Sequence, residues 1–221
     1  MTWAHISNQK KHTQDGCQLA ALMKKAPPRR PIRAVDIGCG DGIITFEILR
    51  LGKVTSVISL DISPLAIKAM KKNLSEYITL GKVEALRASA NTFFKNKKHW
   101  DCFDRLVINP PFFASGSGPK NKTDLDHLAR HEGSLHLRVW GKGAWRLLKT
   151  GGDLYCVFPT ERMAECLRIL SQCKVEPKEI WWLKDDKRKR RFFLRATKGG
   201  SAGLIIHFDK VLKGVIQGEN A

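Results

Sequence analysis

No apolar run in the 221 residues approaches the ~18 residues of a membrane-spanning helix, which excludes a helical membrane protein. A secretory leader is missing too, because the first thirty residues are polar and basic where an apolar stretch is required. The six cysteines, at 17, 39, 102, 156, 166 and 173, form no Cys-x-x-Cys pair and no His–Cys metal spacing. A disulfide scaffold or zinc module is thereby excluded, no metal is expected, and the thiols read as small core residues of a reduced, cytoplasmic protein. Internal repeats and low-complexity linkers are absent, so the chain reads as one domain. None of the seven histidines has a partner at catalytic spacing, and His131 is the one contact candidate among them.

Acidic residues are scarce. Asp and Glu number 21 against 39 Lys and Arg, a net charge of +18. A solubilising coat would intersperse both signs. Here the cations cluster, at Lys187-Arg-Lys-Arg-Arg191, at Lys95, Lys97 and Lys98, at Lys120 and Lys122, and from Lys10 to Arg33. Such an excess points to an anionic polymer, and RNA is the expected partner. No membrane partner is expected. The oligomeric state stays open, with a monomer favoured.

What is present reads as alternating strand and helix. Helix 14–25 ends at Ala26-Pro-Pro-Arg-Arg-Pro31. Strand 32–37, helix 42–50, strand 54–60, helix 64–79, strand 82–88 and strand 103–108 follow. Helix 124–148, strand 153–158 and helix 160–172 complete the alternation. Strands near 178–184, 191–198 and 203–208 have no helices between them, and Gly199-Gly200 is expected to turn a hairpin. Residues 1–30 read as a helical arm packed on the domain at 31–213, with 214–221 a frayed tail. Trp140 and Trp145 are expected in the core beside the long helix, and Trp181-Trp182 in core or edge packing.

Two stretches carry chemistry. Ile32 to Gly42 is an apolar strand running into Gly38, Gly40 and Gly42, with a helix behind them. This arrangement marks a cofactor site at the carboxyl edge of a parallel sheet. A dinucleotide fingerprint would place its third glycine at position 43, which is Ile43. Asp36 would repel a pyrophosphate but suits the amino group of a methionine-type cofactor. Asp61 ends the next strand, where an acid commonly grips ribose hydroxyls. Ser63-Pro64 then reads as cap and first residue of a helix.

The second stretch is Asn109-Pro-Pro-Phe-Phe113. An aromatic amine is a poor nucleophile because its lone pair is delocalised. The Asn109 carbonyl and the Pro110 backbone carbonyl can accept both amine hydrogens and direct the lone pair toward an electrophile. Pro110 and Pro111 fix the loop and remove competing donors. Phe112 can stack on a flat ring and Phe113 can wall the pocket. The Gly/Ser-rich loop 114–123 that follows reads as a substrate lid.

With Asp15-Gly16, Asp36-Ile-Gly-Cys-Gly-Asp-Gly42, Leu60-Asp-Ile-Ser63, Asn109-Pro-Pro-Phe-Phe113, Ala129-Arg130, Glu132 and Leu148–Leu154 together, the chain resembles the class I S-adenosylmethionine-dependent amino-methyltransferases. Within them it is most similar to the bacterial enzymes that methylate adenine N6 beside the anticodon of valine tRNA. The resemblance implies a Rossmann-like α/β fold, with a seven-stranded mixed sheet whose C-terminal strand is antiparallel. It implies S-adenosyl-L-methionine as cofactor, held by Asp36, Gly38, Gly40, Gly42, Asp61, Ile62 and Asn109. Such enzymes carry an acid after the third strand that bonds the cofactor adenine. Arg87-Ala-Ser-Ala-Asn-Thr92 has none, and Ser89 or Asn91 is the expected substitute. RNA contacts are expected from Phe113, Lys120, Lys122, Arg130, Lys187, Arg188, Arg190 and Arg191. A guanine-N2 rRNA methyltransferase, a protein-glutamine methyltransferase and a non-catalytic RNA-binding protein remain the alternatives.

Overall fold

Glycines and prolines punctuate the chain where it must turn, and apolar runs between them pair into one sheet. The computed structural model describes residues 14–109, 137–182 and 191–208. Helix α1 is Gln14–Lys25, strand β1 Ile32–Ile37, α2 Ile43–Leu49 and β2 Val54–Asp61. Then come α3 Pro64–Asn73, α4 Ser75–Thr79, β3 Val83–Arg87 and α5 Ala90–Lys95. After a 3₁₀ turn at Lys97–His99 follow β4 Phe103–Ile108, α6 Leu137–Leu147 and β5 Leu148–Pro159. A 3₁₀ turn at Thr160–Arg162 leads to α7 Met163–Gln172, β6 Val175–Trp182, β7 Arg191–Lys198 and β8 Ile205–His207.

The eight strands run in the order β3-β2-β1-β4-β5-β7-β6-β8. β1 through β5 are parallel, and β7 is antiparallel to both β5 and β6. Alternate residues of the sheet feed two cores. Val35, Ile37, Leu106, Ile108 and Leu154 pack with Phe94, Trp140, Ala144 and Ile169 of α5, α6 and α7 on one face. Ala34, Val57, Val107, Tyr155 and Phe193 pack with Leu19, Met23, Phe46 and Met70 of α1, α2 and α3 on the other. Helix α1 is therefore part of the central packing, with Leu19, Ala20 and Met23 fully buried. The strand order reverses between β1 and β4, where ligands enter such sheets.

The structure departs from the sequence reading at several places. The sheet has eight strands, as the strand-by-strand reading has it, where the family resemblance implies seven. Gly199-Gly200 turns no hairpin: both edges of β7 are already taken, so β8 crosses to β6 and pairs in parallel, Glu179 opposite Ile205. Helix 64–79 breaks at Leu74 (φ −115°, ψ 24°), whose buried side chain packs against Gly42. β5 starts five residues early, since Gly151-Gly152 makes a bulge within the strand; a Cβ on Gly152 would lie 2.9–3.2 Å from three backbone carbonyls. Helix α5 is additional, capped by Ser89, whose hydroxyl accepts the Thr92 N–H. Trp140 is buried as expected, whereas Trp145 is exposed, with the Lys198 ammonium 4.7 Å above its ring. Residues 124–136 of the expected long helix lie outside the described residues.

Candidate cofactor site

The site is built at the carboxyl ends of β1, β2 and β4. Gly38, Gly40 and Gly42 have φ of +76°, +54° and +96°, a region that costs any L side chain strain. The Gly38 and Cys39 N–H groups both donate to the Leu60 carbonyl, at 2.8 and 3.1 Å, which ties the loop to the end of β2. A Cβ on Gly38 or Gly40 would meet nothing within 4 Å. A Cβ on Gly42 would come to 3.0 Å of Leu74 and Met70. Two glycines thus leave open space above the loop, and the third allows close packing of α2 on α3.

Asp61 closes the loop from the side. One carboxylate oxygen accepts the Gly40 N–H at 3.0 Å and the other the Ser63 N–H at 2.8 Å. The half-buried Ile62 lies between them. Ser63 in turn caps α3 by accepting the Ala66 N–H at 3.3 Å. Each carboxylate oxygen has a second lone pair for an incoming hydroxyl.

Asp36 is fully buried beneath the loop. The Thr45 hydroxyl donates to its Oδ2 at 2.7 Å, and Ser59 Oγ lies 2.7 Å from Thr45 Oγ1. Since the Thr45 proton goes to Asp36, Ser59 donates to Thr45. Asp36 Oδ1 is buried and has no hydrogen-bond partner among the described residues. Burial pushes this carboxyl up to about 7, with the Asp61 and Asp41 charges adding to the rise and Thr45 opposing it. Sequence reasoning missed Thr45 and Ser59. The signal was a hydroxyl in each of two otherwise apolar runs, Ile43–Phe46 and Val57–Leu60.

Asn109 follows β4 directly. β1 and β4 pair with Ile37 opposite Ile108, so Gly38 and Asn109 each follow the last paired residue of two neighbouring strands. Two segments distant in sequence thus end at the point where the strand order reverses. Ser89 and Asn91 follow β3 at the same sheet edge. The Ser89 hydroxyl is engaged in capping α5, bonded to the Thr92 N–H at 3.1 Å and to the Thr92 hydroxyl at 2.9 Å. The Asn91 side chain is exposed.

Arg191 was expected to touch RNA. It forms a half-buried ion pair with Asp15 of α1, at 2.6 Å. Pro110, Pro111, Phe112, Phe113, Lys120, Lys122, Arg130, His131, Lys187, Arg188 and Arg190, and the loop 114–123, lie outside the described residues. Among the described residues no helix is long and apolar enough to cross a membrane.

A methionine-type nucleoside cofactor fits these residues: there is room over Gly38 and Gly40, an unsatisfied acidic oxygen lies below them, and a carboxylate stands beside them. The comparisons with known proteins agree. The model of the methyltransferase small domain family matches residues 10–175. A tRNA1(Val) (adenine(37)-N6)-methyltransferase of Tolumonas auensis is 25% identical over 183 residues, covering 79% of this chain and 74% of that protein. The enzyme of the same name from Porphyromonas gingivalis is 28% identical over 157 residues, covering 68% of this chain. That match spans 59% of the Porphyromonas protein, little more than half its length. Among solved structures, a SAM dependent methyltransferase from Aquifex aeolicus superposes with a TM-score of 0.59 at 14% identity, covering 90% of this chain and 99% of that one. With residues 10–175 of its 221 matched, the chain belongs to the methyltransferase small domain family, and its cofactor is S-adenosyl-L-methionine.

Proposed function

We propose that the protein is a cytoplasmic RNA methyltransferase that modifies adenine N6, in the manner of the tRNA1(Val) (adenine(37)-N6)-methyltransferases it is similar to. The observation that supports this reading is that Asn109 directly follows β4, whose last residue, Ile108, pairs with Ile37 just ahead of the glycine loop. The net charge of +18 supports a polyanionic substrate.

S-adenosyl-L-methionine supplies an electrophilic methyl group. Asp36, Asp61 and the glycine loop would hold it, Asp36 through the cofactor's amino group and Asp61 through ribose hydroxyls. Asn109 and the Pro110 carbonyl accept the amine hydrogens, which orients the nitrogen lone pair. Phe112 stacks on the base. Positioning then supplies most of the rate enhancement, and no strong base is needed. A base stacked in a loop or stem has to turn outward to reach such a pocket, which favours unpaired target adenines.

The test is to incubate the protein with methyl-labelled cofactor and total RNA, then digest and separate the nucleosides. Label in N6-methyladenosine from valine tRNA is the expected result. Label in N2-methylguanosine, or in glutamine of a protein fraction, overturns the substrate and leaves the cofactor site standing.

A further inference from the structure

The cations that immediately precede or open the parallel strands are brought to one place by the fold. Arg33 is the second residue of β1, Lys53 precedes β2, Lys97 and Lys98 sit in the 3₁₀ turn before β4, and Arg146 ends α6 just before β5. In a parallel sheet every such position lies at the amino edge. The cofactor loop and Asn109 lie at the carboxyl edge, a strand's length away, roughly 20 Å for the six residues of β1.

Exposed cations outnumber exposed acids at the amino edge. Among the described residues, the carboxyl edge around the loop carries Asp36, Asp41 and Asp61, with Arg87 opposite Asp61 at the end of β3. At the amino edge, Glu84 is exposed near the start of β3, and Asp104 is buried and shared by Arg30 and Lys149, at 3.1 and 2.9 Å. Asp101 is paired with Lys198 at 2.5 Å. Arg33, Lys53, Lys97 and Lys98 are all exposed. Aromatic rings run between these cations. The Lys97 and Arg146 charges lie 5.9 and 5.2 Å from the Trp100 ring centre, and Arg33 lies 5.6 Å from that of Phe103. Helix dipoles account for cations at helix ends, but not for Arg33 and Lys53 at the starts of strands.

Building on the RNA reading above, we propose that this amino edge is a second RNA-contacting surface, gripping phosphates remote from the modified base. With the adenine at Asn109, contact with the amino edge, roughly 20 Å away, falls to RNA that extends well beyond the modified base, as a folded tRNA does. The surface therefore favours full-length tRNA over an isolated fragment of it.

The test compares the wild-type protein with an Arg33→Gln, Lys53→Gln, Lys97→Gln, Lys98→Gln variant. Binding is measured to a tRNA transcript and to a short hairpin carrying the same target adenine, across a range of salt. The variant should lose about tenfold or more in tRNA affinity at low salt, with a flatter salt slope, since fewer counterions are released. Its affinities for the hairpin and for S-adenosylhomocysteine should be unchanged. A second variant with Lys53, Lys97 and Lys98 each replaced by Arg should bind tRNA as wild type does, separating lost charge from lost structure. Unchanged tRNA affinity in the glutamine variant overturns the proposal, as does an equal loss for hairpin and tRNA. Wild-type protein that binds no RNA would instead remove the RNA reading on which the surface rests.

Discussion

Asp61 accepts the Gly40 N–H at 3.0 Å. The acid assigned to the cofactor ribose therefore also holds the loop that cradles the cofactor. Asp61→Ala should lose about 1.5–3 kcal/mol of cofactor binding, the range for a charged hydrogen bond. It should also lower the melting temperature of the ligand-free protein, because the Gly40 and Ser63 N–H groups both lose their acceptor. Calorimetry and thermal denaturation read the two effects separately. An unchanged cofactor affinity would refute the ribose role.

The buried Asp36 makes ligand-free stability depend on pH. Its carboxyl is raised from 3.8 to about 7 by burial, so the unfolded chain gives up this proton at a lower pH than the folded protein does. The resulting stability is fully present below about pH 4 and is lost as pH rises through about 7. Denaturant titrations from pH 4 to 8 should show this loss, and Asp36→Asn should flatten it. An ammonium held against the ionised carboxylate reverses the preference, so cofactor affinity should rise between pH 5.5 and 7.5.

Asn109→Ala should abolish methyl transfer while cofactor affinity stays near wild type, because the amide acts on the substrate amine. Phe112→Ala should weaken RNA binding by about 1–3 kcal/mol, the range for stacking of a base on an aromatic ring. Turnover retained by the Asn109 variant in a radiolabel assay would count directly against the proposed chemistry.

Gly143 of α6 lies against the Phe94 ring, and a Cβ there would come within 2.6 Å of three ring atoms. Gly143→Ala should destabilise the protein by about 1–3 kcal/mol through overpacking. Chemical denaturation measures this, and relief by the added Phe94→Leu change would assign the loss to that contact.

The sequence by itself determined the parallel half of the sheet, the glycine loop and the acids at the ends of β1 and β2. These features rest on local rules: apolar runs bounded by breakers, positive-φ positions that require glycine, and a Ser-Pro helix start. Helix α5 was legible from Ser89 three residues before Thr92, with Phe93 and Phe94 behind, but the segment is too short for a helical period to stand out. Tertiary structure alone decided where β8 pairs, because that depends on which strand edges are already taken. It alone showed that Arg191 pairs with Asp15, that Asp61 holds Gly40, and that Thr45 and Ser59 support Asp36. Each of these is a contact between residues distant in sequence, and one-dimensional spacing carries no record of which side chains the sheet order brings together.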